Sequence, residues 1–289
     1  AHRHLNPSSL DCSWQWCDVM VKRLAFLAGL MASLLIACDA SGWLRGGYGW
    51  RWPYVAPDSP GRWVLPAAAV AVYTLVAWFL DHRRLHWPAV PWAFLGALVL
   101  PYALLLRWGD DPLYLLYTRT VDPVITGYHT AAVKTDVVAS MNDWAAMQPA
   151  LRGNGLEHVS TQPPGPPLVY EASIALMERL PRLADTLAGY VRPMHCLNAD
   201  LTLRTDAQIA GAWPGLLGPL WSALAVFPLH WLARHMLDRR ASGRVTLLWP
   251  LIPGIAAFAP SPSTAYPALI AGMLALLYKA LSSDRRAYA

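Results

Sequence analysis

The sequence predicts an all-α fold, a polytopic transmembrane helical bundle with about six to seven spans. Hydrophobic residues make up 55% of the chain and charged residues 14%, whereas soluble domains carry roughly 25% charged residues. The chain also has 15 Trp, a residue that favours the boundary between bilayer and water. The net charge of +5 comes from basic pairs at the ends of apolar runs. This pattern excludes a nucleic-acid-binding stripe and favours membrane lipid as a partner.

Each predicted span is an apolar run close to the length that a membrane helix needs, about twenty residues. The runs lie, in order, at 24–43, 64–80, 89–108, 207–232, 245–258 and 264–281. A seventh run, at 166–180, is short and has Glu171 near its middle, so whether it crosses is left open.

The basic pairs predict the orientation of the spans. With Lys22-Arg23 and Arg83-Arg84 in the cytoplasm, the loop at 109–165 is extracytoplasmic. The pair Arg239-Arg240 agrees with this orientation only if 166–180 does not cross. We therefore expect a single multi-pass transmembrane domain over 1–289, continued at both ends in a longer protein, in a bacterial inner membrane.

The loop at 109–165 is the long polar segment between apolar runs, and it is where we expect the function to lie. Apolar residues recur at helical spacing from 129 to 151 and predict one amphipathic helix in the plane of the membrane interface. His129, Asp136 and Asp143 are seven residues apart, so they would line one edge of that helix. Such an edge offers a general base or a metal ligand, and the alternative is the ordinary solvated flank of an interfacial helix.

The loop closes with the segment Thr161-Gln162-Pro163-Pro164-Gly165-Pro166-Pro167, and His158 lies just upstream. The prolines fix an extended path, and glycine permits a close backbone approach. Prolines are also normal in the first turn of a helix, so the alternative is a rigid entry to the next helix.

These residues resemble a known group, the membrane glycosyltransferases of the GT-C fold, in the protein-mannosyltransferase and aminoarabinose-transferase-like superfamily. The resemblance covers about 89–281 and implies that Asp136 is the catalytic or metal-linked carboxylate. The acidic pair Asp110-Asp111, at the start of the loop, competes for that role. His158 and Gln162 would line the donor or acceptor pocket, although Gln162 stands where the family carries His.

The resemblance implies transfer of a sugar from a polyprenyl-phosphate donor to an acceptor at the outer membrane face. Arg119, His129 and Lys134 would contact the substrate, with the cations balancing the charge of the phosphate. The cofactor is unknown, and a divalent cation is one option. Two alternatives stay open: a non-catalytic accessory or scaffold subunit, and a transporter or flippase of a lipid-linked substrate.

Overall fold

The computed structural model describes residues 60–85, 87–109, 111–196, 199–252 and 264–287, with isolated positions at 20–21, 24, 27–29, 31, 35, 40, 254–255, 259 and 261. Over these residues the fold is all-α, and they contain no strand. The chain divides into two compact units, Ala1–Asp58 and Ser59–Ala289. In the first unit the described positions from 20 to 35 are helical and exposed, and most of the predicted span at 24–43 lies outside the described residues.

We number the helices of the second unit in chain order. They are α1 Val64–His82, α2 Ala89–Leu105, α3 Pro112–Val121, α4 Tyr128–Lys134, α5 Val137–Ser140, α6 Trp144–Gly153, α7 Glu157–Ser160, α8 Gly165–Arg179, α9 Pro181–Val191, α10 Asp200–Leu203, α11 Asp206–Ala210, α12 Trp213–Leu216, α13 Gly218–Leu224, α14 Val226–Met236, α15 Arg239–Leu248 and α16 Tyr266–Ala287. Short 3-10 turns occur at Pro60–Trp63, Met141–Asp143, Arg192–Cys196 and Trp249–Leu251.

Polar side chains in the sequence determine where several helices begin. Asp111, Asp136 and Asp238 each accept hydrogen bonds from backbone N–H groups in the first turn of α3, α5 and α15. Thr205 and Gln208 form a reciprocal capping box at the start of α11. These contacts satisfy N–H groups that have no partner within their own helix.

Helix α2 lies beside the helical stretch Asp206–Met236, which contains α11 to α14, and runs in the opposite direction. The Phe94 and Phe227 rings are 5.4 Å apart near the start of α2. Near its other end, the Tyr102 hydroxyl donates a hydrogen bond of 3.1 Å to the Leu216 carbonyl. These contacts place the start of α2 beside α14 and the end of α2 beside α12.

Helix α1 packs tightly on α2 through Tyr73. A β-carbon at Gly96 of α2 would overlap the Tyr73 ring, so only glycine allows this approach. The ring also stacks on Trp92 at 5.6 Å, and its hydroxyl donates to the Leu247 carbonyl of α15 at 2.7 Å. Tyr73 thereby joins three helices.

The described residues contain fewer spans than the six to seven expected. Two helical stretches are long and apolar enough to cross a membrane, Gly61–His82 and Asp206–Met236. The apolar helices Ala89–Leu105 and Tyr266–Ser282 are shorter. The run predicted at 245–258 leaves helical geometry by Ile252, after the 3-10 turn that contains Pro250.

Helix α8 occupies the doubtful run at 166–180. It has 15 residues, or about 22 Å at the rise of an α-helix, and it is followed at once by α9. The hydrocarbon core of a bilayer is about 30 Å thick, so α8 is too short to cross it upright.

The single helix expected at 129–151 is instead divided into α4, α5, a 3-10 turn and α6. The break comes at Thr135, where Asp136 caps a new helix and interrupts the earlier one. The predicted apolar stripe is divided too. Val137, Trp144 and Leu151 are buried in a protein cluster with Tyr128 and other apolar residues, whereas Met141 is 48% exposed.

Candidate functional site

An apolar groove of about 650 Å³ lies beneath the proline-rich segment, and we call it the proline groove. Its lining residues are Pro163, Gly165, Pro166, Val169, Tyr170, Pro214, Trp221, Leu224, Ser261, Ala265, Tyr266, Ala268 and Leu269. One wall is therefore the start of α8, and the opposite wall is the start of α16. A volume of this size and an apolar lining are typical of small-molecule sites.

Two residues of the lining, Tyr170 and Tyr266, carry phenol groups, and the Tyr128 phenol lies near both. Burial raises the pKa of Tyr170, and the nearby Tyr128 phenol raises it further. Burial also raises the pKa of Tyr128, with a smaller contribution from the Tyr266 phenol. Tyr128 and Tyr170 therefore keep their protons at neutral pH and serve as hydrogen-bond donors.

His158 lies at the outer side of this phenol group. Its Nε2 atom is 3.4 Å from the Tyr128 hydroxyl, and the two ring centroids are 5.8 Å apart. His158 is exposed, so a ligand can reach its side chain. Of the histidines expected to contact substrate, His158 is the one that lies beside the groove's tyrosines and is accessible.

Arg119 lies on α3 and reaches towards the segment before α16. Its NH1 group donates a hydrogen bond of 3.2 Å to the Ala259 carbonyl. Burial lowers the pKa of the guanidinium. Arg119 is only partly buried, which leaves a positive charge close to the chain that leads into Ser261 and Tyr266.

His129, which was predicted to contact the substrate, lies in the protein interior. The side chain is fully buried, and its Nδ1 atom accepts a hydrogen bond of 3.0 Å from Arg204 NH1. Its Nε2–H therefore donates to the Gln208 carbonyl at 2.8 Å. Burial, assisted by the Arg204 charge, lowers the pKa of His129 to about 3, so the ring is neutral. It packs edge-on against Tyr170 at 5.8 Å.

Asp136 and Lys134 border a second, polar depression of about 410 Å³. Its other charged residues are Glu171 and Glu178 of α8, which give the depression an excess of negative charge. Asp136 Oδ1 accepts the Ala139 N–H at 2.8 Å, and Glu171 Oε2 accepts the Val138 N–H at 3.0 Å. Lys134 therefore lies among carboxylates and does not line the proline groove.

The proline groove and the polar depression are neighbours on α8. Tyr170 lines the groove, and Glu171, the next residue, lines the depression. The loop and α8 thus contribute to two sites, one apolar with phenol groups in its lining and one acidic.

Of the acidic pair Asp110-Asp111 at the start of the loop, the structure describes Asp111, which caps α3. Asp111 Oδ1 accepts the Leu113 and Tyr114 N–H groups at 2.9 Å and 3.0 Å. Its neighbour Asp110 lies outside the described residues. Asp111 lines neither the groove nor the depression.

Gln162 makes its described contact through its backbone. Its carbonyl accepts a hydrogen bond of 2.9 Å from Trp144 Nε1. This contact joins the closing segment to α6 and fixes the path of the chain into Pro163, at the edge of the groove.

The residues described here hold no group of three or more His, Cys, Asp or Glu side chains that could bind a metal ion. The divalent cation that the resemblance allows therefore has no ligand set in this part of the chain. The loop carboxylates are instead distributed over separate helix caps and the polar depression.

Sequence reasoning missed Tyr128, Tyr170 and Tyr266, which come from three separate segments. No local spacing relates them, because they meet only when α4, α8 and α16 pack together. A comparison of the chain with protein-family models, with curated proteins and with solved structures finds no match.

Proposed function

We propose that the protein is a membrane-embedded glycosyltransferase that takes a sugar from a polyprenyl-phosphate carrier at the outer membrane face. The observation that carries the proposal is the proline groove. Three residues of the segment that resembles the family motif, Pro163, Gly165 and Pro166, form part of one of its walls. The lining is mostly apolar and includes the phenol groups of Tyr170 and Tyr266, which matches an isoprenoid chain joined to a phosphate.

Exposed apolar side chains support the placement in a bilayer. On α1, Val64, Leu75 and Trp78 are 68%, 64% and 63% exposed, and on α16 Met273 is 70% exposed. Continuous apolar surface of this kind is rare on proteins that are surrounded by water, and lipid contact would cover it.

The proposed reaction joins an acceptor oxygen or nitrogen to the anomeric carbon of the sugar while the bond from that carbon to the phosphate oxygen breaks. The acceptor, a hydroxyl or an amine, occupies the polar depression, and Asp136 takes the proton that it loses. The negative charge that develops on the departing phosphate is stabilised by the Tyr128 and Tyr170 hydroxyls, His158 and Arg119. Helix α8 supports this arrangement, because it contributes residues to both sites.

The test is turnover by the full-length protein in liposomes with a panel of radiolabelled polyprenyl-phosphate sugars. Asp136→Asn keeps an oxygen that can cap α5 but removes the base, so turnover should fall by roughly a hundredfold or more. Asp111→Asn makes the same chemical change at another capping aspartate and should leave turnover within about twofold, because that residue lines neither site.

An equal loss in both variants would remove Asp136 from its proposed role. Full turnover with Asp136→Asn would do the same and would move the base to another carboxylate. Absence of turnover with every donor, together with absence of donor binding, would overturn the proposal.

A binding protein without catalysis is the second candidate, and the helix caps favour it. Both described candidate carboxylates, Asp111 and Asp136, already accept backbone N–H groups. Such a protein would hold the lipid-linked donor in the proline groove and present it to a partner enzyme. Donor binding without turnover would support this second candidate.

A further inference from the structure

A second large groove lies between the start of α2 and α14. Its volume is about 660 Å³, and we call it the basic groove. The apolar part of its lining includes Trp87, Val90, Phe94 and Phe227. Its polar lining consists of His230, Arg234 and Arg239.

The two arginines of the basic groove differ from their neighbours in the same region. Arg240 and Arg244 both form ion pairs with Asp81, at 3.6 Å and 2.8 Å. Within the described part of the chain, neither Arg234 nor Arg239 forms an ion pair or a side-chain hydrogen bond. The groove therefore carries positive charge that no described carboxylate neutralises.

Nearby polar groups leave this charge in place. The Asp238 carboxylate accepts the N–H groups of Arg240 and Ala241, which lowers the pKa of Asp238. On the other side, the Thr246 hydroxyl donates to the Ser242 carbonyl and so accepts a hydrogen bond from His230 Nδ1. The Nε2 atom of His230 has no hydrogen bond within the described residues.

We propose that the basic groove binds an anionic membrane phospholipid. Arg234 and Arg239 hold the phosphate of the headgroup by charge-assisted hydrogen bonds. One acyl chain lies against Trp87, Phe94 and Phe227. A soluble anion would use the arginines and leave the apolar lining uncovered, whereas a phospholipid satisfies both parts of the groove.

The position of the groove agrees with this ligand. It lies at the end of the bundle that carries Arg83 and Arg84, the end that the positive-inside rule assigns to the cytoplasm. The inference shares with the proposed function only the placement of the helices in a bilayer. It requires no sugar transfer.

The test is native mass spectrometry of the full chain in neutral detergent. The added lipid is dioleoyl-phosphatidylglycerol, and zwitterionic dioleoyl-phosphatidylcholine serves as the comparison. We expect one phosphatidylglycerol to bind at least about tenfold more tightly than phosphatidylcholine. The double variant Arg234→Gln/Arg239→Gln should remove this preference, with binding of phosphatidylcholine unchanged.

The matched control is Arg83→Gln/Arg84→Gln, which removes two charges from the same end without changing the groove lining. It should weaken phosphatidylglycerol binding by no more than about twofold. An equal loss in both double variants would show a general charge effect and overturn the site. Complete competition by inorganic phosphate at the lipid's own concentration would also overturn it, because the acyl chain would then contribute nothing.

The two proposals fail separately. Selective phosphatidylglycerol binding with neither sugar transfer nor donor binding would leave this inference standing and reject the glycosyltransferase. Sugar transfer without selectivity for phosphatidylglycerol would support the glycosyltransferase and reject the lipid site in the basic groove.

Discussion

His129 and Arg204, 75 residues apart in the chain, are joined by a hydrogen bond of 3.0 Å in which the guanidinium donates to the imidazole Nδ1. The other ring nitrogen is bonded to the Gln208 carbonyl, so both nitrogens of a fully buried histidine have partners. Protonation of His129 would place a second positive charge beside Arg204 and remove the acceptor. The contact therefore exists only while the ring is neutral.

The first prediction concerns pH. The pKa of His129 is lowered from 6.5 to about 3, so between these values the unfolded chain binds a proton that the folded chain does not. The stability that neutral His129 provides is complete above pH 6.5 and is lost as the pH falls towards 3. The free energy of unfolding should decrease by up to about 1.4 kcal/mol per pH unit from this residue.

Thermal unfolding in detergent, followed from neutral to mildly acidic pH, measures this effect. His129→Gln should be less stable at neutral pH and should lose this part of the acid dependence. His235→Gln changes an exposed histidine and should leave the acid dependence as it is in the native chain. An unchanged pH profile in His129→Gln would contradict the prediction.

The second prediction concerns the cap at Asp111. Asp111→Ala leaves two N–H groups of α3 without their partner and should lower the free energy of unfolding by about 1 kcal/mol. Asp111→Asn supplies another oxygen and should change it by only a few tenths of a kcal/mol. Asp185→Ala, at an exposed position within α9, is the control for loss of charge alone. Similar losses in all three variants would argue against the cap.

The third prediction concerns the approach of α1 to α2. Gly96→Ala places a β-carbon in the Tyr73 ring and should lower stability by about 1–3 kcal/mol through overpacking. Gly189→Ala, in an open and exposed part of α9, should raise it by roughly 0.5–1 kcal/mol. Opposite signs for the two substitutions in a thermal unfolding assay are the expected result. A neutral Gly96→Ala would mean that Tyr73 moves aside without cost.

The fourth prediction concerns the proline groove. Val169 is 56% exposed and lines the groove, so Val169→Trp should fill it and weaken binding of a photoreactive polyprenyl phosphate by about tenfold. Leu176→Trp, on the same helix and 50% exposed, lies outside the groove and should bind the probe normally. Equal labelling of both variants would place the lipid chain elsewhere.

Composition and apolar runs were enough to predict the helices near 64–80 and 89–108, because their sequence is apolar for almost their full length. The start of α8 could also be predicted from the sequence, since prolines at 166 and 167 are typical of a first helical turn. These features depend on neighbouring residues only.

The division of the loop helix could not be predicted in the same way. Apolar spacing continues from 129 to 151, yet Asp136 competes for the backbone and begins a new helix. Burial of His129 depends on Arg204 and Gln208, which are remote in the chain. A periodic pattern contains no information about such partners, so the seven-residue spacing of His129, Asp136 and Asp143 indicated a shared edge that the fold does not have.

The distance in sequence between His129 and Gln208 also constrains the order of assembly during synthesis. Helix α4 leaves the ribosome well before α8 and α11. At that stage the His129 imidazole, which is buried in the folded protein, is still exposed to solvent. Its enclosure waits until α8 and α11 have emerged and packed against it. The loop is therefore completed late, and a ribosome stalled before residue 204 should carry a nascent chain in which His129 remains open to chemical modification.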